Sequence, residues 1–307
     1  MWKNILILGL VLLLISCDDL TSGKRFTEQY YTLTGLLIEG ETVSTENYIF
    51  LGRTIEAEGG NLSDIYIDDA QVKLINQTLN DTIFLTFFYE VSIETFKFGY
   101  YDAAEQMIIN AGHSYRIEAE IPEQDGSNGF VWSETTIPSE IILNPDNDES
   151  FTDNPELIFP TLSYETANTE HPLTIQASSI DVISLLFQFY CLEDYKDAIF
   201  VHDFHGSEEH PETPEDYEHP QTGMPRKIKW FFKYQPEFVN NAYYIYDRGY
   251  RSNLVFYGRY EIKVLSIDEN YYQYLYKVDG YKYGGIQNGY GYFGSASGGK
   301  LYTKVVN

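Results

Sequence analysis

The sequence predicts a mainly β protein: an antiparallel β-sandwich followed by a second β-rich domain that carries one short helix. Three observations predict it. Tyrosine is in excess, with 28 copies against 19 phenylalanines, and large flat side chains suit cross-strand packing on a pleated surface. Short apolar/polar alternations recur, each closed by Gly, Pro, Asn or Asp. A single segment near the end switches from the strand period to the helix period behind a capping pattern.

Taken in order, the first element is a leader. One lysine is followed by an apolar run from Ile5 to Ile15, 11 residues long. A membrane span needs about 20 residues; this run has the length of a signal-peptide core, which takes no part in the fold. It ends in "LISC", which resembles the bacterial lipobox. That resemblance implies cleavage after residue 16, with diacylglycerol on the thiol of Cys17 and an acyl chain such as palmitate on its new amine. Residues 17–29 read as a polar tether that opens on Asp18 and Asp19.

Residues 30–143 read as the sandwich. "YYTLTGLLIEG" (30–40), "ENYIFLGRTIE" (46–56), "AQVKLINQ" (70–77), "DTIFLTFFYE" (81–90) and "ETFKFGYYD" (94–102) are strand-like runs. "GHSYRIEAEIP" (112–122) alternates cleanly, with Tyr115, Ile117 and Ala119 on one face and Arg116, Glu118 and Glu120 on the other. "FVWSETTIP" closes the series at 130–138. Residues 144–172 begin with the acidic "NPDNDESFTDN" and read as a linker.

Residues 173–307 read as the second domain. "ISLLFQFYCLEDY" (183–195) is apolar on both faces, which fits a central strand or a buried helix; its aromatic content favours the strand. Residues 206–223 form a long acidic, proline-bearing loop. In "SIDENYYQYLYKV", Ser266 and Glu269 match the S-x-x-E capping box and predict a helix over 267–277, with Tyr271, Leu275 and Val278 on its apolar face. The tail alternates glycine with aromatics, as tight turns or close strand approach require.

Charge and cysteine content narrow the function. The net charge is −26, which argues against nucleic acid, whose phosphates need Lys and Arg, and against adhesion of the domain surface to anionic lipid. Acyl chains would therefore do the anchoring. With Cys17 acylated, Cys191 has no partner for a disulfide; its apolar surroundings make it a buried small hydrophobe rather than a nucleophile.

Two constellations bear on chemistry. "VHDFHGSEEHPETPEDYEH" (201–219) holds four of the six histidines. His202, Asp203, His205 and His210 are the residue types that bind a divalent metal, but no H-E-x-x-H is present, and a solvated acidic loop accounts for the same residues. The carboxylates of "NPDNDES" suggest calcium only weakly, since the glycine and final glutamate of an EF-hand are missing. No nucleophile elbow or Walker loop is present. The second constellation is aromatic: Tyr243, Tyr244, Tyr246, Tyr281, Tyr283, Tyr290 and Tyr292 form two tyrosine-rich segments, suited either to a contact surface or to filling a sheet.

The acylated cysteine, "YTLTGLLIEG", "GHSYRIEAEIP", "YEIKVLSIDENYYQYL" and "NGYGYFGSASGG" together resemble an uncharacterised family of Bacteroidota outer-membrane lipoproteins carrying a domain of unknown function. The resemblance implies an immunoglobulin-like N-terminal part and a β-rich C-terminal part. It implies a lipid-anchored place on the surface or the periplasmic face of the outer membrane, often near uptake receptors, with surface exposure the expectation, and no established chemistry. The expectation is a non-enzymatic binding or accessory module, with no cofactor required. Its partner would be an outer-membrane transporter, another envelope protein or a glycan. A metal-dependent hydrolase using the 202–219 cluster and a purely structural envelope protein are the alternatives.

Overall fold

The computed structural model describes residues 30–54, 65–91, 96–123, 125–154, 158–177, 184–193, 199–201, 228–232, 237–239, 242–247 and 249–307. For Phe96 and for the strands between 228 and 247 the description is of the backbone. The first half contains β1 (Tyr31–Ile38), β2 (Phe50–Arg53), β3 (Gln71–Asn76), β4 (Asp81–Val91), β5 (Phe96–Tyr101), β6 (Ser114–Pro122) and β7 (Asn128–Thr136). The second contains β8 (Ile141–Leu143), β9 (Thr161–Ser163), α1 (Ala167–Glu170), β10 (Leu173–Ala177), β11 (Leu185–Cys191), β12 (Ile199–Phe200), β13 (Ile228–Phe232), β14 (Glu237–Val239), β15 (Ala242–Asp247), β16 (Phe256–Ile267), α2 (Glu269–Tyr276) and β17 (Gly289–Val306).

The chain is mainly β, and most of its strand pairs are antiparallel. One sheet runs β5-β4-β3-β6-β7, a second β14-β15-β10-β8, and the largest β13-β11-β16-β17-β1-β2. The alternation of the sequence decides which faces are buried. In β6, Tyr115, Ile117, Ala119 and Ile121 point into a core with Val72 and Leu74 of β3, Val131 of β7, Leu33 and Leu37 of β1, Leu51 of β2 and Ile49 just ahead of β2. The five-stranded sheet and the β1–β2 edge of the large sheet thus form a sandwich-like pair of layers. The outer face of β6 carries Arg116, which pairs with Glu118 and Glu134 and lies 4.1 Å from the Trp132 ring.

A second core lies between the four-stranded sheet and the other end of the large one. It gathers Leu185, Phe187, Phe189 and Cys191 of β11, Tyr260, Ile262 and Val264 of β16, and Leu173, Ile175 and Ala177 of β10. The apolar run at 183–195 is therefore a central strand, paired with β13 and β16. Residues 144–172, expected as a linker, put Phe151, Leu162, Tyr164 and Ala167 into this core. The acidic letters of that stretch dominate its composition, but its few apolar residues decide where it packs.

Strand β17 joins the two cores. It contributes Phe293 to the first and Leu301 and Val305 to the second. It pairs antiparallel with β16 and parallel with all eight residues of β1, from Tyr31↔Gly289 to Ile38↔Ala296. Close approach explains the glycines: Gly291 has φ +115°, and a Cβ there would lie 2.1 Å from the Leu33 carbonyl oxygen.

The helix is shorter than expected and is capped differently. Its N-cap is Asp268, whose side chain accepts from the Tyr271 N–H. Ser266 is still in β16, paired with Leu185 and Ser297, and is buried with its hydroxyl unpartnered. The apolar stripe is also narrower. Tyr271 packs against Leu186, Leu265 and Ile267, whereas Leu275 is 39% and Val278 87% exposed.

Candidate aromatic binding cleft

Three chain segments meet beside β2 to form a cleft of about 330 Å³, lined by Thr34, Gly35, Leu36, Glu46, Asn47, Tyr48, Phe50 and Tyr292. Strand periodicity supplies the lining. Ile49 and Leu51 point into the first core, so Tyr48 and Phe50 turn to the opposite side. Thr34 is registered against Phe50 on one neighbouring strand and against Tyr292 on the other. The row Phe50–Thr34–Tyr292 thus crosses three strands of the large sheet on the face away from the core.

Each aromatic wall has its own aromatic support. Tyr48 meets Phe88 edge-on, with ring centroids 5.2 Å apart, and sits over Gly99, where an added Cβ would come within 2.4 Å of its ring. Phe50 packs on Phe98 at 5.2 Å. Tyr292 packs on Tyr271 at 5.0 Å and Tyr274 at 4.4 Å, both on α2. Burial pushes the Tyr292 phenol well above its ordinary range, and the nearby phenols of Tyr271, Tyr274 and Tyr48 act in the same direction. The rings are therefore fixed before any ligand arrives, which lowers the ordering cost of binding.

The one charged residue of the described lining, Glu46, is held by an ion pair from outside it. Glu46 is ion-paired with Lys97 at 2.7 Å, and its carboxylate holds the Lys97 ammonium above its usual range against the opposing effect of burial. The backbone N–H of Asn47 donates to Ser44 Oγ at 3.3 Å, and Thr34 adds a hydroxyl to the lining. Beyond the cleft the aromatic band continues: Tyr290 packs on Tyr30 at 4.9 Å and on Tyr281 at 5.4 Å.

The expected tyrosines divide. Tyr292 lines the cleft, and Tyr290 and Tyr281 adjoin it. Tyr283 is exposed, with Lys277 Nζ 3.8 Å from its ring centroid. Tyr243, Tyr244 and Tyr246 lie on β15, in the four-stranded sheet, opposite Ala177, Gln176 and Thr174. Cys17 and the cluster His202, Asp203, His205 and His210 lie outside the described residues. Sequence reasoning missed Tyr48, Phe50, Tyr274 and the Glu46–Lys97 pair. The signal was present in "ENYIF", where Tyr48 and Phe50 alternate with the core residue Ile49.

Other arrangements are spent on structure. A larger cavity of about 550 Å³ opens where the end of β7 meets the head of α2, lined in part by Glu134, Thr135, Asp268, Glu269 and Asn270. Its polar groups already serve one another. Asp268 accepts from Tyr271 N and Ser295 N, both near 3 Å, and from Thr135 Oγ1 at 2.7 Å. Ser295 Oγ donates to the Thr136 carbonyl. Asp148, Ser150 and His171 superficially suggest a nucleophilic triad, but both Ser150 Oγ and Asp148 meet His171 at Nδ1. A triad needs the base to face the hydroxyl through one nitrogen and the carboxylate through the other.

Cys191 is buried, and burial pushes its thiol up to about 11, which makes it a poor nucleophile. Among the described residues, no group of three or more His, Cys, Asp or Glu side chains is placed to hold a metal ion. Among those residues, no helix is long and apolar enough to cross a membrane. No family model matches the chain, and a search of curated proteins finds no match.

Proposed function

We propose that this protein is a lipid-anchored binding module of the bacterial outer membrane, held by acyl chains on Cys17 and recognising its partner through the aromatic cleft at Tyr48, Phe50 and Tyr292. The anchoring half of the reading rests on the leader and the "LISC" ending, and accords with the resemblance to Bacteroidota lipoproteins. The recognition half rests on one observation: three ring walls, each braced by a further aromatic, around an open cleft. Rigid tyrosines give wide contact at small entropic cost.

Two measurements test the halves separately. Mass spectrometry of the mature N-terminal peptide is expected to find Cys17 at its start, carrying diacylglycerol and an amide-linked acyl chain. A free thiol at Cys17 would overturn the anchor. For recognition, the native lipoprotein and its Tyr48→Ala variant are immobilised and exposed to detergent-solubilised envelopes. Bound protein and carbohydrate are then quantified, and a component retained by the wild type and lost by the variant is the expected result. Identical retention by the two would overturn the cleft as the contact.

A further inference from the structure

We infer that the cleft takes an uncharged sugar ring of a neutral glycan, stacked on the aromatic wall of Tyr48, Phe50 and Tyr292 and hydrogen-bonded at the rim by Glu46, Asn47 and Thr34. This rests on the proposed binding role and names its ligand class. Size comes first: 330 Å³ is at the lower end of small-molecule sites, which run from about 300 to 1,000 Å³. Chemistry comes second. The electron-rich ring faces attract the polarised C–H groups of a pyranose, while its hydroxyls need neighbouring donors and acceptors. Aromatic and Leu36 surface lies beside a hydroxyl, an amide and a carboxylate in one lining, which matches a ligand apolar on its faces and polar around its edge.

Charge separates this ligand from its competitors. The carboxylate in the lining, Glu46, is already ion-paired with Lys97 at 2.7 Å. An organic cation would find aromatic faces but, among the described lining residues, no carboxylate other than the Lys97-paired Glu46. An acidic glycan or a nucleotide would approach a chain of net charge −26 against the field of the whole molecule. A peptide added as an extra strand is disfavoured by the backbone. β1 is hydrogen-bonded to β2 on one side and β17 on the other. The outer side of β2 is met by bridges Gly52↔Tyr66 and Ile49↔Tyr100. Recognition at this place therefore runs through side chains and not through strand addition.

The test uses the full lipoprotein in a detergent without a sugar headgroup. Neutral manno-, xylo-, malto- and galacto-oligosaccharides are titrated calorimetrically, beside oligogalacturonate and tetramethylammonium. We expect at least one neutral series to bind, with affinity nearly unchanged between 0.05 and 0.5 M salt. Tyr48→Ala should weaken it tenfold or more, Glu46→Gln severalfold, and Tyr292→Phe, which keeps the ring, less than threefold. Ile158→Ala, at an exposed position outside the cleft lining, should leave it unchanged. Binding of oligogalacturonate or tetramethylammonium alone, or neutral binding untouched by Tyr48→Ala, would overturn the inference. If no neutral sugar binds while Tyr48-dependent retention of an envelope component persists, the ligand class falls and the binding role stands. If both are absent, both fall.

Discussion

The cavity at the head of α2 and the cleft beside β2 share the same helix, and they use it in opposite ways. The cavity is the larger, about 550 Å³ against 330 Å³, yet its central carboxylate is committed to the N-cap of α2, to Ser295 of β17 and to Thr135 of β7. The cleft takes from α2 only two tyrosine rings, packed behind Tyr292. Empty volume alone is thus a poor guide to recognition. A cavity whose polar groups satisfy each other holds the structure together, and a smaller one whose walls are braced from behind is ready to receive something.

That contrast predicts different responses to substitution. The largest effect on stability is expected from Asp268→Ala, which removes the cap and leaves buried N–H and hydroxyl donors without an acceptor. The loss is about 3 kcal/mol in urea unfolding, with cleft affinity of the folded protein changed less than twofold. A parallel loss of affinity would merge the two regions into one. Thr135→Val, which withdraws a single donor from that carboxylate, should cost about 1–2 kcal/mol by the same assay.

Acidity separates the regions too. Burial raises the Asp268 carboxyl above its ordinary value, against hydrogen bonds from Ser295, Thr135 and Tyr271. The folded state therefore keeps this proton where the unfolded chain has released it. The resulting stabilisation is complete below the unfolded value near 3.8 and is lost as pH rises through the folded value. Glu193 behaves oppositely: the hydrogen bond from Arg259 holds it low, so its contribution is lost as pH falls through its depressed value. Melting temperature against pH for the wild type and Asp268→Asn isolates the first effect, with a flatter difference expected for the variant above pH 4 and no change in the cleft.

Smaller effects belong to the cleft. Phe88→Leu removes the ring behind Tyr48 and should cost about 1 kcal/mol or less, while cleft affinity falls severalfold because the wall is no longer held. The reverse pattern, large instability with intact affinity, would make Phe88 a core residue and nothing more. Lys97→Met should change stability by about 0.5 kcal/mol or less, since exposed ion pairs contribute little. It should nevertheless introduce a preference for tetramethylammonium by freeing the Glu46 charge.

Local features of the fold were legible where neighbouring residues decide them. The alternation at 112–122 is enough to assign Tyr115, Ile117 and Ala119 to one face, and that face of β6 is the buried one. Aromatic content distinguished a central strand from a helix at Leu185–Cys191. The helix after β16 was legible as well, but its start was misplaced by two residues. S-x-x-E at Ser266 and an aspartate at 268 compete for the cap, and pairing with Leu185 and Ser297 keeps Ser266 in the sheet. Long-range features were not legible. Nothing near Tyr31 announces a parallel partner at Gly289, and the cleft needs that pairing to bring Thr34 beside Tyr292. The tyrosines at 290 and 292 were singled out by density alone. Density cannot tell which ring has another behind it, so Tyr48 and Phe50 escaped notice.

The parallel alignment of β1 with β17 also sets how the molecule bears a mechanical load. A pull on the chain ahead of Tyr31, directed along the strand, acts on an interior strand with eight residues in register on one neighbour and four on the other. Those bonds lie across the direction of force, so they are sheared together rather than unzipped one after another. Tension arriving from that end would meet a sheared grip on both sides, and would meet it along the strand that floors the cleft.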